Sequence, residues 1–388
     1  MRYVDEFRDG GRARTLSAAL RDAVHPGRQY RFMEFCGGHT HAVFRYGVPD
    51  LLPPEIELIH GPGCPVCVLP IGRLDMAVRL ASENREVILC SYGDMLRVPG
   101  SGGESLLRAR SQGADVRMVY SVTDALALAR EHPQREVVFF AIGFETTTPP
   151  TALALLTAAR EELRNFSVFC NHVLTPAAMG AILDVDGARG ERVEIDGFIG
   201  PSHVSVVIGS DAYRFCAAQH RKPVVIAGFE PLDVLQSLLM LVRQVNDGRA
   251  DIENQYRRAV TPQGNRRAQA VMAQVFTRRA SFEWRGLGEI PHSALRLADD
   301  FAAFDAEQRF AMDYRPAQGA KSCECPAVLR GAKKPTECKL FARVCTPENP
   351  LGSCMVSDEG ACAAYYTYGR FREAQAQPVV VQQSAAGG

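Results

Sequence analysis

Between residues 30 and 250 the chain alternates short runs of β-branched and aromatic residues with stretches whose apolar positions recur at helical spacing. Glu86-Val-Ile-Leu-Cys90, Val137-Val-Phe-Phe-Ala-Ile142, Ser167-Val-Phe-Cys170 and Pro223-Val-Val-Ile-Ala227 predict buried strands, each followed by a loop rich in Gly, Thr or Pro. Continuous apolar strands separated by helices predict an α/β fold with mostly parallel sheets. Helix starts are marked at Thr148, before Pro149-Pro150, and at Thr175, before Pro176. After Glu230-Pro231, the spacing of Leu232, Leu235, Leu239 and Val242 predicts a long amphipathic helix ending near Gly248.

A faint echo runs through this region. Gly143-Phe-Glu145 and Gly228-Phe-Glu230 each follow an apolar strand and lead into a Pro-started helix. Two related α/β halves around a cleft are therefore expected, with the site at the C-terminal ends of the strands. After Arg249 the pattern turns to charged helix, and from Gly319 onward it is rich in Cys, Pro and Gly with little periodicity. The expected organisation is a first α/β domain at 1–148, a second at 149–250, a helical and Cys-rich iron–sulfur domain at 251–373, and a disordered tail at 374–388.

Composition removes several classes. With 388 residues and 46% hydrophobic content, the chain can bury ordinary cores without covalent staples. The N-terminus MRYVDEFRDGGRARTL has no apolar signal region, and the longest apolar run, Val137 to Phe144, is too short to span a bilayer. A soluble cytoplasmic protein is expected, with no membrane association. Lys+Arg and Asp+Glu both number 44, leaving no basic footprint for nucleic acid.

The cysteines change the picture. Six of the 12 lie at Cys323, Cys325, Cys338, Cys345, Cys354 and Cys362, interleaved with Pro326, Pro335, Pro347 and Pro350. Prolines and glycines keep such a segment irregular, so its thiolates can converge, and four of them suit a [4Fe-4S] cluster. Zinc is the main alternative, but the paired Cys-x2-Cys knuckles it favours are absent there; inert core thiols do not explain the clustering. Cys64-Pro-Val-Cys67, in a Gly-Pro-Gly turn, is a candidate two-electron thiol pair or half of a metal site. In Cys36-Gly-Gly-His-Thr-His41 the glycines allow close backbone approach, and Cys36 with His39 could hold a metal or activate a thiol. Cys36, His39, Cys64 and Cys67 thus form the candidate catalytic and metal-binding set. Cys90, Cys170 and Cys216 sit in apolar runs and read as core.

Taken together, these segments, with Ser91-Tyr-Gly-Asp-Met-Leu-Arg97-Val-Pro-Gly-Ser101, Gly143-Phe-Glu-Thr-Thr-Thr148, Gly200-Pro-Ser-His-Val-Ser205 and Cys354-Met-Val-Ser-Asp-Glu-Gly-Ala-Cys362, resemble the signature set of the HypD family of hydrogenase maturation factors. Ser202 departs from the Gly expected in many relatives. The resemblance implies assembly of the Fe(CN)2CO group of [NiFe] hydrogenases. It implies a HypC-like small chaperone sharing a mononuclear iron at Cys36, with His39 beside it, and a HypE-like donor bringing cyanide as a thiocyanate. It further implies electrons supplied through Cys64/Cys67 and a [4Fe-4S] cluster. A cluster-dependent thiol–disulfide oxidoreductase and a pure binding scaffold are the alternatives. The first would not need the Cys36 segment, and the second would tolerate Ser at Cys64 and Cys67.

Overall fold

The computed structural model describes residues 5–184, 193–317, 319 and 322–369; the tail expected to be disordered lies outside them. Two wholly parallel sheets form the frame. The first contains β1 (Tyr30–Glu34), β2 (Ile56–His60), β7 (Gly197–Gly200), β8 (Val224–Ile226) and β9 (Ile252–Asn254), in the order β2-β1-β7-β8-β9. The second contains β3 (Val87–Ser91), β4 (Val116–Met118), β5 (Glu136–Gly143) and β6 (Phe166–His172), in the order β4-β3-β5-β6. All seven residues of β6 are buried, as are the last seven of β5, which is why these segments read as unbroken apolar runs.

The sheets do not divide the chain at residue 148. β6 pairs along its whole length with β5, from Val137 opposite Phe166 to Gly143 opposite His172, whereas β7 pairs with β1. The second sheet is therefore an insertion between β2 and β7 of the first. Helical spacing placed the elements correctly but carried no information on which strands pair.

The helices Thr148–Arg160 and Thr175–Leu183 begin at the expected threonines, with Pro at the start of each. The helix after Glu230 runs Pro231–Asn246 and buries Leu232, Leu235, Leu239 and Val242. Both Gly-Phe-Glu segments close a parallel strand and lead into these helices, as the echo suggested. The stretch after Arg249 differs from expectation. It holds β9, a helix at Arg266–Val275, short helical turns at Asp299–Phe304 and Ala306–Arg309, and two small antiparallel ribbons. These pair β10 (Phe276–Arg278) with β13 (Leu295–Leu297), and β11 (Ser281–Trp284) with β12 (Gly288–Pro291). Phe282, Trp284 and Ile290 are buried there while their strand neighbours are exposed or half-buried, a two-residue period that its high charge obscured. Among the described residues no helix is long and apolar enough to cross a membrane.

In each sheet the strand order reverses once, between β1 and β7 and between β3 and β5. Such reversals open a crevice beyond the C-terminal strand ends. Cys36, Gly61 to Cys67, Ser202 with His203, and Gly228 to Glu230 all follow strands of the first sheet at that end; Ser91 to Arg97 and Gly143 to Thr148 do so in the second. The C-terminal segment bridges the two ends. Ser353 bonds to Cys67, Glu359 packs on Gly37, and the Arg97 guanidinium donates to the Val356 carbonyl at 2.8 Å.

Candidate functional site

Cys36 ends the loop after β1 and caps the helix Gly37–Arg45 with an extended backbone. Its surroundings explain the glycines around it. A Cβ on Gly37 would lie 2.4 Å from Glu359 Cβ, one on Gly38 2.5 Å from the Phe229 ring, and one on Gly63 2.4 Å from the Cys36 nitrogen. Three chain segments thus pack on Cys36 and the two glycines after it, and the cysteine is 8% exposed. Burial holds its thiol well above the usual range, the neighbouring Glu359 adds to this, and the Gly38 and His39 amides oppose it. The site therefore favours the protonated thiol.

Beneath it lies Glu34, the buried last residue of β1. Its carboxylate accepts from the Cys36 amide at 3.0 Å, from His60 Nδ1 at 2.8 Å and from the Thr40 hydroxyl. The backbone that aims Cys36 is therefore fixed by a carboxylate that the motifs did not single out.

His39 is fully buried on the next turn. Its Nε2 faces three oxygens: the Gly228 carbonyl at 3.1 Å, the Ala227 carbonyl at 3.3 Å and the Ser202 hydroxyl at 3.1 Å. Ser202 in turn donates to the Ala227 carbonyl, so its oxygen is left to accept. Three acceptors assign the ring proton to Nε2, and Nδ1 remains buried with no hydrogen-bond partner among the described residues. Burial lowers the His39 pKa, opposed by Glu34 and the two carbonyls, and favours the neutral ring. Ser202, noted in the sequence only as a departure, thus touches a candidate site residue. His41 lies half-buried against Tyr368, with ring centroids 5.3 Å apart.

Cys64 and Cys67 are joined in a disulfide, Cα to Cα 5.2 Å, rather than offered as metal ligands. Pro65 starts the short helix Pro65–Val68 between them, and the Cys67 amide donates to Cys64 Sγ at 3.2 Å. The pair reaches Cys36 through Gly63, whose carbonyl accepts from the Gly37 amide at 3.1 Å.

The structure brings the six C-terminal cysteines into one neighbourhood. Cys323, Cys325, Cys338, Cys345 and Cys362 line a small cavity with Val328, Leu340, Phe341 and Met355. Cys354 lies against Cys325 and Cys362, and hydrogen bonds from those thiols favour its ionised form. Cys345 Sγ accepts from the Leu351 amide at 3.4 Å. A Cβ on Gly352 would come within 2.4 Å of Cys323 Sγ and 2.5 Å of Cys325 Sγ, so glycine is needed where the chain wraps the sulfurs. Clustered soft thiols, amide donation to sulfur and an apolar wall fit a [4Fe-4S] group held by four of the six. Among the described residues, no three His, Cys, Asp or Glu side chains converge to hold a single metal ion. Cys90, Cys170 and Cys216 are buried core thiols, raised to about 12, 11 and 12 by burial.

A cavity of about 1310 Å³ lies elsewhere, between Glu145, Leu174, Phe215, Met272, Phe276 and Arg330. Its rim includes Asp184 and Val193, which flank the undescribed residues 185–192.

A profile described as "HypD: Hydrogenase formation hypA family" matches residues 12–369. The chain belongs to the HypD family. It is 66% identical over 374 residues to the hydrogenase expression/formation protein HupD of Azotobacter chroococcum mcd 1, covering 96% of this chain and 98% of that protein. It is 63% identical over 374 residues to the hydrogenase maturation factor HypD of Cupriavidus necator, covering 96% and 98%. Over 382 residues it is 48% identical to HypD of Escherichia coli K12, covering 97% and 100%. The HypD match spans both sheets and the cysteine array, so the segments that converge in space belong to one family-wide unit.

Proposed function

We propose that the chain is a hydrogenase maturation factor that holds iron at Cys36 while diatomic ligands are added, and supplies electrons through Cys64 and Cys67. One observation carries this reading. Gly63 joins the Cys36 backbone to the disulfide, and Ser353 joins the disulfide to the cysteine array, forming one continuous packed site.

The iron is cargo, shared with a HypC-like small chaperone. Its arrival displaces the Cys36 proton, and the Glu34 and Glu359 carboxylates offset the incoming charge. His39 supports the site with a neutral ring whose Nδ1 is free to accept. Cyanide arrives as a thiocyanate on a cysteine of a HypE-like partner. The Cys64 and Cys67 thiols give up two electrons and two protons as they form their disulfide, and the partner's S–C bond breaks. The partner's sulfur regains one proton, the other goes to solvent, and cyanide passes to the iron. Two electrons from a low-potential one-electron carrier of the ferredoxin class, with two protons from solvent, then return the disulfide to the dithiol. A [4Fe-4S] cluster held by four of Cys323, Cys325, Cys338, Cys345, Cys354 and Cys362 would supply those electrons singly. A general thiol–disulfide oxidoreductase would leave the enclosed Cys36 site without a purpose. Infrared spectroscopy of the protein copurified with its small partner tests the reading through bands of iron-bound cyanide and carbon monoxide.

A further inference from the structure

Arg285 sits where the array and the disulfide turn come together, and no motif in the sequence announced it. Its amide donates to the Val68 carbonyl at 2.8 Å and its Nε to the Leu69 carbonyl at 2.9 Å, so backbone and side chain both grip the turn that follows Cys67. The next residue, Gly286, packs closely on Pro326: a Cβ there would lie 3.0 Å from Pro326 Cα. The Gly286 carbonyl also accepts from the Arg330 guanidinium at 2.7 Å, closing the contact with the helix Cys325–Leu329. The guanidinium is thereby pinned between the disulfide turn and the helix that begins at Cys325.

Two features of that guanidinium are left over. Its Nη2 is shut off from solvent and has no hydrogen-bond partner among the described residues. The groups that favour its charge against burial are Cys325, Cys354 and Cys323, ahead of Asp75, whose carboxylate is already engaged by the Ser101 amide and hydroxyl. A half-buried guanidinium stays protonated and needs compensation, above all at an N–H shut off from water. Neutral thiols supply little; a cluster carrying net negative charge on its thiolates and sulfides would supply both the compensation and the missing acceptor.

We propose that Arg285 is a positioning residue for the redox site, holding a half-buried positive charge and a spare N–H donor against the cysteines of the array, and so raising the reduction potential of the group they bind. Charge and hydrogen bonds to sulfur are the levers by which a protein sets such potentials. This inference rests on the cluster reading given above.

The test uses full-length protein, purified anaerobically as wild type, Arg285→Gln and Arg285→Lys. Iron and acid-labile sulfide are quantified first, and the visible absorbance is then titrated against potential. Sulfide in the wild type establishes the cluster independently of Arg285; its absence would overturn the cluster reading and this inference with it. With the cluster present, Arg285→Gln is expected to lower the reduced-to-oxidised ratio at fixed potential at least tenfold, a shift of about 59 mV for one electron. Arg285→Lys, which keeps the charge, should stay near the wild type. Loss of the cluster from Arg285→Gln alone, with Arg285→Lys loaded at the wild-type potential, would also support the charge. Equal potentials in wild type and Arg285→Gln, or loss of the cluster from both variants, would overturn the inference and make Arg285 a scaffold residue.

Discussion

The Ser353 hydroxyl donates to the Cys67 carbonyl oxygen at 3.1 Å, and Cys67 Sγ lies 3.8 Å from the Ser353 carbonyl oxygen. These two contacts join segments separated by 286 positions and place Cys354 one residue from the disulfide's partner. An electron path between the array and the disulfide needs no longer connection than this dipeptide. Ser353→Ala should cost on the order of 1 kcal/mol, the usual value of one buried hydrogen bond. It should also quicken alkylation of the reduced Cys67. Unchanged melting and unchanged alkylation would show that the contact is incidental.

Cys64 and Cys67 should switch together. Thiol trapping across a range of redox buffers is expected to show two thiols appearing at one midpoint, and Cys67→Ser should freeze the switch and stop hydrogenase maturation while melting stays close to wild type. Normal maturation in the double Ser variant would end the electron-relay role and favour a binding scaffold.

Replacing Cys338 or Cys345 with Ser should remove the visible absorbance of the cluster and loosen residues 322–369, because ligand binding and local folding are linked. Limited proteolysis alongside the visible spectrum reads both effects. An unchanged spectrum in both variants would mean that the remaining four, Cys323, Cys325, Cys354 and Cys362, do the work.

Glu145 predicts a pH dependence. Burial pushes its carboxyl up to about 7, against hydrogen bonds from the Thr175 amide and hydroxyl, each 2.9 Å long. The folded state therefore keeps a proton that the unfolded chain has lost. The stabilisation is full below about pH 4.5 and fades as pH rises toward 7, by about 3 kcal/mol over that window. Glu145→Gln preserves the bonds to Thr175 and removes the titration, so it should gain stability relative to wild type between these limits. A constant difference from pH 4.5 to 8 would contradict the assignment.

Much of this site was legible in the chain. Cys36, Cys64, Cys67 and the six C-terminal cysteines stood out because thiol spacing between glycines and prolines is a strong local pattern, and buried parallel strands are unbroken apolar runs. What was hidden depends on distant partners. The pairing of β1 with β7 has no local signature, nor does the pairing of β5 with β6 that carries the second sheet past residue 148. Glu34, Ser353 and Arg285 are single polar residues whose importance comes from what they touch 26, 286 and 216 positions away. Ser202 was visible only as a departure from a motif, and its bond to His39 gives that departure a physical meaning.

The central claim is that Cys36 holds the iron on which the ligands are built. Infrared spectra of the complex with the small partner should show bands of iron-bound cyanide and carbon monoxide in the wild type. In Cys36→Ala those bands should vanish while the visible absorbance of the C-terminal array persists. Undiminished bands in Cys36→Ala would contradict the account.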